Sequence, residues 1–401
     1  MVQFLILQIL IVSLIFLTFA TTLKFGYSEP IINDPSLSVQ IIAKDFSKPT
    51  GMVFLDNNIM VIEKDGDVKL ISEDTKEEST LLQFDVDTKS ERGLLGIETN
   101  GNDVFFYLTD ASSDPIKNRV FKYLWNGNEL SNPKLILDLP ALPGPNHDAG
   151  KLVLEKNNQN GITENLYVII GDLKHDGILQ NQKSEDEPDD TGVIFRINAL
   201  DGSPVDNNPF IANSDFSKYF AYGIRNSFGL TLDPESGYLW ETENGPSSYD
   251  EINIVRPGFN GGWNEVIGPI DRTNKNEGDL VILPGAHYKD PILSWKDPVA
   301  LTDIEFLNSS KLGIEYMNKM FVGDYKNGNL YFLSLNSDRD DLDINMYPSE
   351  LHDRVVDSDE ESSSILFGTG FGGISDIKTG PNGDLYVLSF KDEVLYKISK
   401  N

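Results

Sequence analysis

The chain has 401 residues, 39% of them hydrophobic, with a formal net charge of -30 at pH 7 and no cysteine. That charge excludes nucleic acid as a partner, because phosphate binding needs Lys and Arg to displace counterions. The missing cysteine excludes disulfides and thiolate zinc sites, which a domain of this size can do without.

Residues 2–23 are almost wholly apolar, and Lys24 is the first charged residue. A run of about 20 apolar residues is long enough to cross a bilayer. Thr18-Phe19-Ala20 offers a small-residue cleavage site, although no basic stretch precedes the run. It reads as a signal peptide or a single membrane anchor. Export follows, to the outside or the outer face of the membrane, and cleavage stays open. Residues 1–30 are therefore set apart as this segment and a linker, and 31–401 as one domain.

Within that domain one short pattern returns six times: a Gly or small residue, an alternating apolar strand, a Gly/Asn/Asp turn and further strands. The first copy runs from Gly51 through Asn57-Asn58 to Ile71. Others begin near Gly93, Gly150, Gly229 and Thr302. The last is the clearest: Gly373 to Ile377, the turn Pro381 to Asp384, then Leu385 to Leu388 and Val394 to Ile398. Period-2 alternation bounded by such turns marks strands. Units of about 40–50 residues built this way must stack on neighbours, as propeller blades do. The predicted fold is all-β, a six-bladed β-propeller preceded by the apolar segment. Two acidic runs, Ser184 to Asp190 and Asp338 to Glu361, read as solvated loops rather than metal sites.

Several stretches stand out: Glu91-Arg92-Gly93-Leu94-Leu95-Gly96-Ile97, His147-Asp148-Ala149-Gly150-Lys151-Leu152, Gly171-Asp172 and Tyr222-Gly223-Ile224-Arg225-Asn226-Ser227-Phe228-Gly229-Leu230. Glu243-Asn244-Gly245-Pro246, Asp250-Glu251-Ile252-Asn253 and Pro257 to Trp263 belong with them. Together they resemble the soluble glucose/sorbosone dehydrogenase family, six-bladed propellers that bind pyrroloquinoline quinone (PQQ) and calcium. The likeness covers roughly residues 40 to 400.

The resemblance implies a PQQ- and calcium-dependent oxidoreductase acting on an aldose sugar or a related alcohol or aldehyde. Its electron acceptor stays unknown, and its only membrane contact is through the N-terminal segment. His147 would be the base that takes the hydroxyl proton, and Asp172 would orient it. A quinone with three carboxylates needs cations: Arg225 and Lys326 would bind it, with Asn226, Glu91 and Arg92 beside them. The carbonyls of Gly245 and Pro246 would help hold calcium. On the residues alone, His147 is equally a loop histidine and Arg225 equally the partner of an acidic neighbour.

The last copy departs from the family. Where the family begins Arg-Ile-Arg-Asp, this chain reads Gly373-Ile374-Ser375-Asp376. PQQ binding is therefore expected to be weaker than is usual for the family, and arginine at both positions to strengthen it. Two alternatives stay open. One is a redox-inactive propeller binding a glycan, a protein or a metal. The other is a calcium-dependent lactonase using Glu91, Asp172, Asn226 and Asp303.

Overall fold

A computed structural model describes residues 29–72, 75–156, 163–183 and 187–401. The apolar segment at 2–23 and its cleavage site lie outside the described residues.

Six sheets follow one another along the chain. The first runs Pro49–Leu55, Asn58–Glu63, Asp67–Ser72 and Glu78–Gln83, and the second Leu94–Asn100, Asp103–Asp110, Lys117–Trp125 and Leu130–Pro140. The third begins with Leu152–Lys156 and Thr163–Ile170, and the fourth with Gly229–Leu232 and Leu239–Glu243. The fifth begins with Leu301–Phe306 and Met320–Asp324, and the sixth with Ile374–Thr379, Leu385–Ser389 and Val394–Lys400. These starts fall on the six copies read from the sequence. The first strands of consecutive sheets touch in cyclic order, and that of the sixth touches that of the first. The result is an all-β propeller around a central axis. Among the described residues the α-helix is confined to Asp359–Ser364, which opens on a capping box between Ser358 and Glu361.

The ring closes where Leu37–Lys44 pairs antiparallel with Val394–Lys400, so the last sheet takes its outer strand from the start of the domain. This shared sheet ties the two ends of the ring together and leaves no gap in it. Each space between neighbouring sheets holds its own apolar cluster. Between the first and second it contains Ile62, Ile97, Phe106 and Trp125, and between the fourth and fifth Trp240, Ile304, Val322 and Tyr331. Sheets alternating apolar residues on both faces bury them only by stacking in this way.

Charge fills the axis below the cavity described next. Lys151 Nζ lies 2.8 Å from Asp303 Oδ1 and 2.5 Å from Asp376 Oδ1. Asp376 Oδ2 also accepts from the Met52 amide, and Asp303 Oδ2 from that of Ile377. Burial pushes the Asp303 carboxyl up; burial also opposes ionisation of Asp376, but Lys151 and Lys378 outweigh it and hold that carboxyl low. Lys378 sits among Glu98, Asp376, Asp303 and Glu305, which keep it protonated against burial.

Candidate active site

A cavity of about 530 Å³ lies over that charged stack, within the size range of small-molecule sites. Its charged lining residues are Lys64, Glu91, Lys151 and Arg225; His147, Asn226, Asn244, Thr302, Tyr325, Ser375 and Phe390 are among the others.

His147 reaches it from the loop between the second and third sheets, in a left-handed conformation (φ +65°) open to His at modest cost. Its ring is held on both sides. Nδ1 lies 2.6 Å from Asp172 Oδ1, and Arg225 Nη2 lies 2.9 Å from Nε2. Asp172 follows the strand Thr163–Ile170 and is buried. Its Oδ1 also accepts from the Lys174 amide at 2.7 Å, and its Oδ2 from Trp263 Nε1 at 2.7 Å. A carboxylate with all these donors keeps one orientation. It therefore fixes the tautomer with a proton on Nδ1 and leaves Nε2 as the acceptor. The Trp263 ring also supports Arg225, whose guanidinium carbon is 5.3 Å from the ring centroid.

Glu91 gathers the facing wall. Its Oε2 accepts from the His147 amide at 2.7 Å and from Asn226 Nδ2 at 3.0 Å, while Asn146 Nδ2 donates to Oε1 at 3.3 Å. Glu243 performs the same service from behind, accepting the amides of Arg225 at 3.1 Å and Asn226 at 2.6 Å. Neither Glu243 nor Trp263 emerged from the sequence as a site residue, although both lie in the stretches quoted above.

Arg225 itself is not paired with an acid. Nη1 donates to the Asn244 carbonyl at 2.6 Å, Nη2 faces His147, and Nε is buried with no partner. Among the described residues no carboxylate comes within ion-pair distance of it, so the plain alternative of an acidic neighbour does not hold. Asn226 Oδ1 and Thr302 Oγ1, on the same lining, are likewise buried without partners. Three polar atoms left unsatisfied around one cavity are costly unless a ligand meets them.

Other expected residues fall elsewhere. Lys326 is exposed and donates to the Pro298 carbonyl at 3.0 Å, off the cavity lining. The turn explains this: Asp324 Oδ1 accepts from the amides of Asn327 and Gly328, and only Tyr325 is left facing inward. Arg92 is buried behind the wall, bound to Asp87 at 3.0 Å and to the Ala141 carbonyl, so it props the His147 loop rather than meeting a ligand. Gly245 and Pro246 are not on the lining; the Gly245 amide donates to Asp250 Oδ1 at 3.0 Å. Among the described residues no group of three His, Asp or Glu is placed to hold a metal ion. The lactonase set does not assemble either, because Asp172 is spent on His147 and Trp263 and Asp303 is buried against Lys151.

At Gly373 a Cβ would stand 2.8 Å from the Tyr325 ring and 3.0 Å from Lys391 Cγ. The Lys391 ammonium lies over that same ring, 4.1 Å from its centroid. Arginine there requires this pair to move, so the gain expected of a double arginine variant depends on Tyr325 and Lys391 making room. Ser375 does line the cavity: the pairing slips between Ile374 and Asp376, which puts Ile374 and Ser375 on the lining together.

Next to the histidine, Asp148 is fully buried, with Asn118 Nδ2 on Oδ1 at 3.2 Å and no partner for Oδ2. Burial pushes its carboxyl up to about 6. An unfolded Asp titrates near 3.9, so the folded state holds this proton more tightly. Its stabilising effect is full below the unfolded value and is lost as pH rises through about 6. A shift of roughly two pH units corresponds to about 3 kcal/mol at neutral pH. Asp148→Asn should therefore raise the melting temperature clearly at pH 8 and little at pH 4.5. Thermal melts showing equal shifts at the two values would contradict this.

Comparison with known proteins places this geometry. The family model for glucose/sorbosone dehydrogenase matches residues 46–397. Aldose sugar dehydrogenase YliI of Escherichia coli is 30% identical over 256 residues, which take in 63% of this chain and 59% of that relative. The crystal structure of the soluble aldose sugar dehydrogenase of Escherichia coli in its apo form superposes with a TM-score of 0.70 at 25% identity, over 91% of this chain and 100% of that one. A PQQ-bound aldose sugar dehydrogenase of Streptomyces coelicolor shares the fold, with a TM-score of 0.65 at 21% identity over 92% of this chain and 99% of that one.

Proposed function

Because this chain belongs to the glucose/sorbosone dehydrogenase family, we propose that it is a PQQ-dependent oxidoreductase that oxidises an aldose sugar. The observation that carries this reading is Arg225, a partly buried guanidinium on the cavity wall with no carboxylate partner among the described residues, in a chain of net charge -30. A tricarboxylate quinone is the kind of ligand that satisfies it. Asn226, and through it Glu91, would hold the same ligand. The six sheets support six blades, one to each sheet, in a single domain from residue 31 onward. The apolar run at 2–23 supports export.

PQQ held by Arg225 and Asn226 would supply the hydride-accepting chemistry that oxidation of a sugar hydroxyl needs. The chain itself supplies proton transfer and positioning. Asp172 keeps the Nδ1 proton of His147 in place, so Nε2 is the atom that takes the sugar hydroxyl proton. Arg225 Nη2 donates towards that same Nε2. The Asp172 carboxylate then stabilises the imidazolium. Calcium enters no step here, since neither Gly245 nor Pro246 reaches the cavity wall.

The test is reconstitution with PQQ, with and without calcium, followed by dye reduction over a panel of aldoses. Saturable, sugar-dependent reduction is the expected result. Absence of PQQ binding under both conditions would reject the reading in favour of a redox-inactive propeller.

A further inference from the structure

The cavity has, besides Arg225, a second cation without an acid partner among the described residues, one that the sequence did not single out. Lys64 follows the strand Asn58–Glu63 of the first sheet and lines the cavity. Its Nζ donates to the Thr88 carbonyl at 2.9 Å, and among the described residues no carboxylate lies within ion-pair distance. The nearby acids are engaged elsewhere. Asp87 binds Arg92, Asp65 accepts from the Ser47 hydroxyl, and Glu63 accepts from the Ser47 amide. Its stem has a prepared bed: a Cβ on Gly93 would stand 2.7 Å from Lys64 Cγ and 2.5 Å from the Lys64 carbonyl oxygen. Only glycine at 93 lets the side chain lie across the second sheet into the cavity.

The remaining charges of the lining are already committed. Lys151 is paired with Asp303 and Asp376, and Glu91 accepts from three donors. Lys64 and Arg225 are the two lining cations with no acid beside them among the described residues. They come from separate parts of the wall: Lys64 reaches in from the first sheet across the start of the second, and Arg225 from the segment that leads into the fourth. Burial lowers the Lys64 pKa, with Lys48 adding to the effect, and the more distant charges of Asp65, Asp148 and Asp87 do not offset it.

We propose that Lys64 is an anion-binding residue of this cavity, gripping a carboxylate of the ligand other than the one Arg225 meets. This rests on the cofactor reading above and names a second residue that holds that ligand. Two unpaired cations from separate parts of one wall select a molecule with more than one carboxylate on a rigid frame over a monocarboxylate of similar size.

The test is titration of PQQ into the full chain, followed by quenching of tryptophan fluorescence and by calorimetry, with no turnover required. Lys64→Gln should weaken binding about 10-fold or more, by loss of one charge-assisted contact, and Lys64→Arg should restore most of it. The melting temperature without ligand should stay the same in all three proteins. Lys64→Gln binding as tightly as the wild type, while Arg225→Ala does not, would overturn the role of Lys64 and leave the cofactor reading standing. Equal loss in Lys64→Gln and Lys64→Arg would mark the residue as structural and also overturn the proposal. A wild type that does not bind PQQ overturns both.

Discussion

Replacing Arg225 with alanine should lower PQQ affinity by about 100-fold or more. Each charge-assisted hydrogen bond contributes about 1.5–3 kcal/mol, and a planar guanidinium can offer a carboxylate or quinone oxygen two at once. Every 1.4 kcal/mol is about tenfold in affinity. Arg225→Lys keeps the charge but loses the fork, and should recover only part of the loss. The substitution also removes the donor to the Asn244 carbonyl and the partner of the Trp263 ring, so near-ultraviolet circular dichroism must first show the fold intact. Calorimetric titration then decides: an affinity within threefold of the wild type would show that the ligand is held from elsewhere.

His147→Ala should behave in the opposite way, with cofactor affinity nearly kept and turnover lowered by about 10²–10⁴, the usual contribution of a positioned base. Asp172→Asn should approach the same loss without touching the ring directly. Its Oδ1 and Oδ2 both accept hydrogen bonds, from His147 and Lys174 and from Trp263. An amide must turn its NH2 group onto one of these donors, which disturbs the ring or its tautomer. Single-turnover kinetics of the loaded proteins measure this. Full reduction rates in His147→Ala would remove the histidine from the chemistry.

The strands of the last sheet were legible almost to the residue, because alternation and Gly/Asn/Asp turns are local signals. The expected stretches at Gly373 to Ile377, Leu385 to Leu388 and Val394 to Ile398 match Ile374–Thr379, Leu385–Ser389 and Val394–Lys400. The outer strand Leu37–Lys44 was not assigned to that sheet, since its partner lies at the far end of the chain and nothing nearby announces it. The candidate site divides in the same way. His147, Asp172, Arg225, Asn226 and Glu91 come together, as their motifs implied. Lys326 does not, because turn chemistry at Asp324 decides where a hairpin lysine points. Lys64 was not singled out at all. What draws it inward is a missing Cβ on the neighbouring sheet, at Gly93, and such packing leaves no mark in the local pattern.

The charged stack under the cavity has a bearing on traffic. With Lys151, Asp303 and Asp376 packed together and buried across the axis, the described residues close the axis beneath the cavity. On the proposed reading, a sugar and the electron acceptor that follows it queue at the same doorway. Neither can enter until the molecule before it has gone.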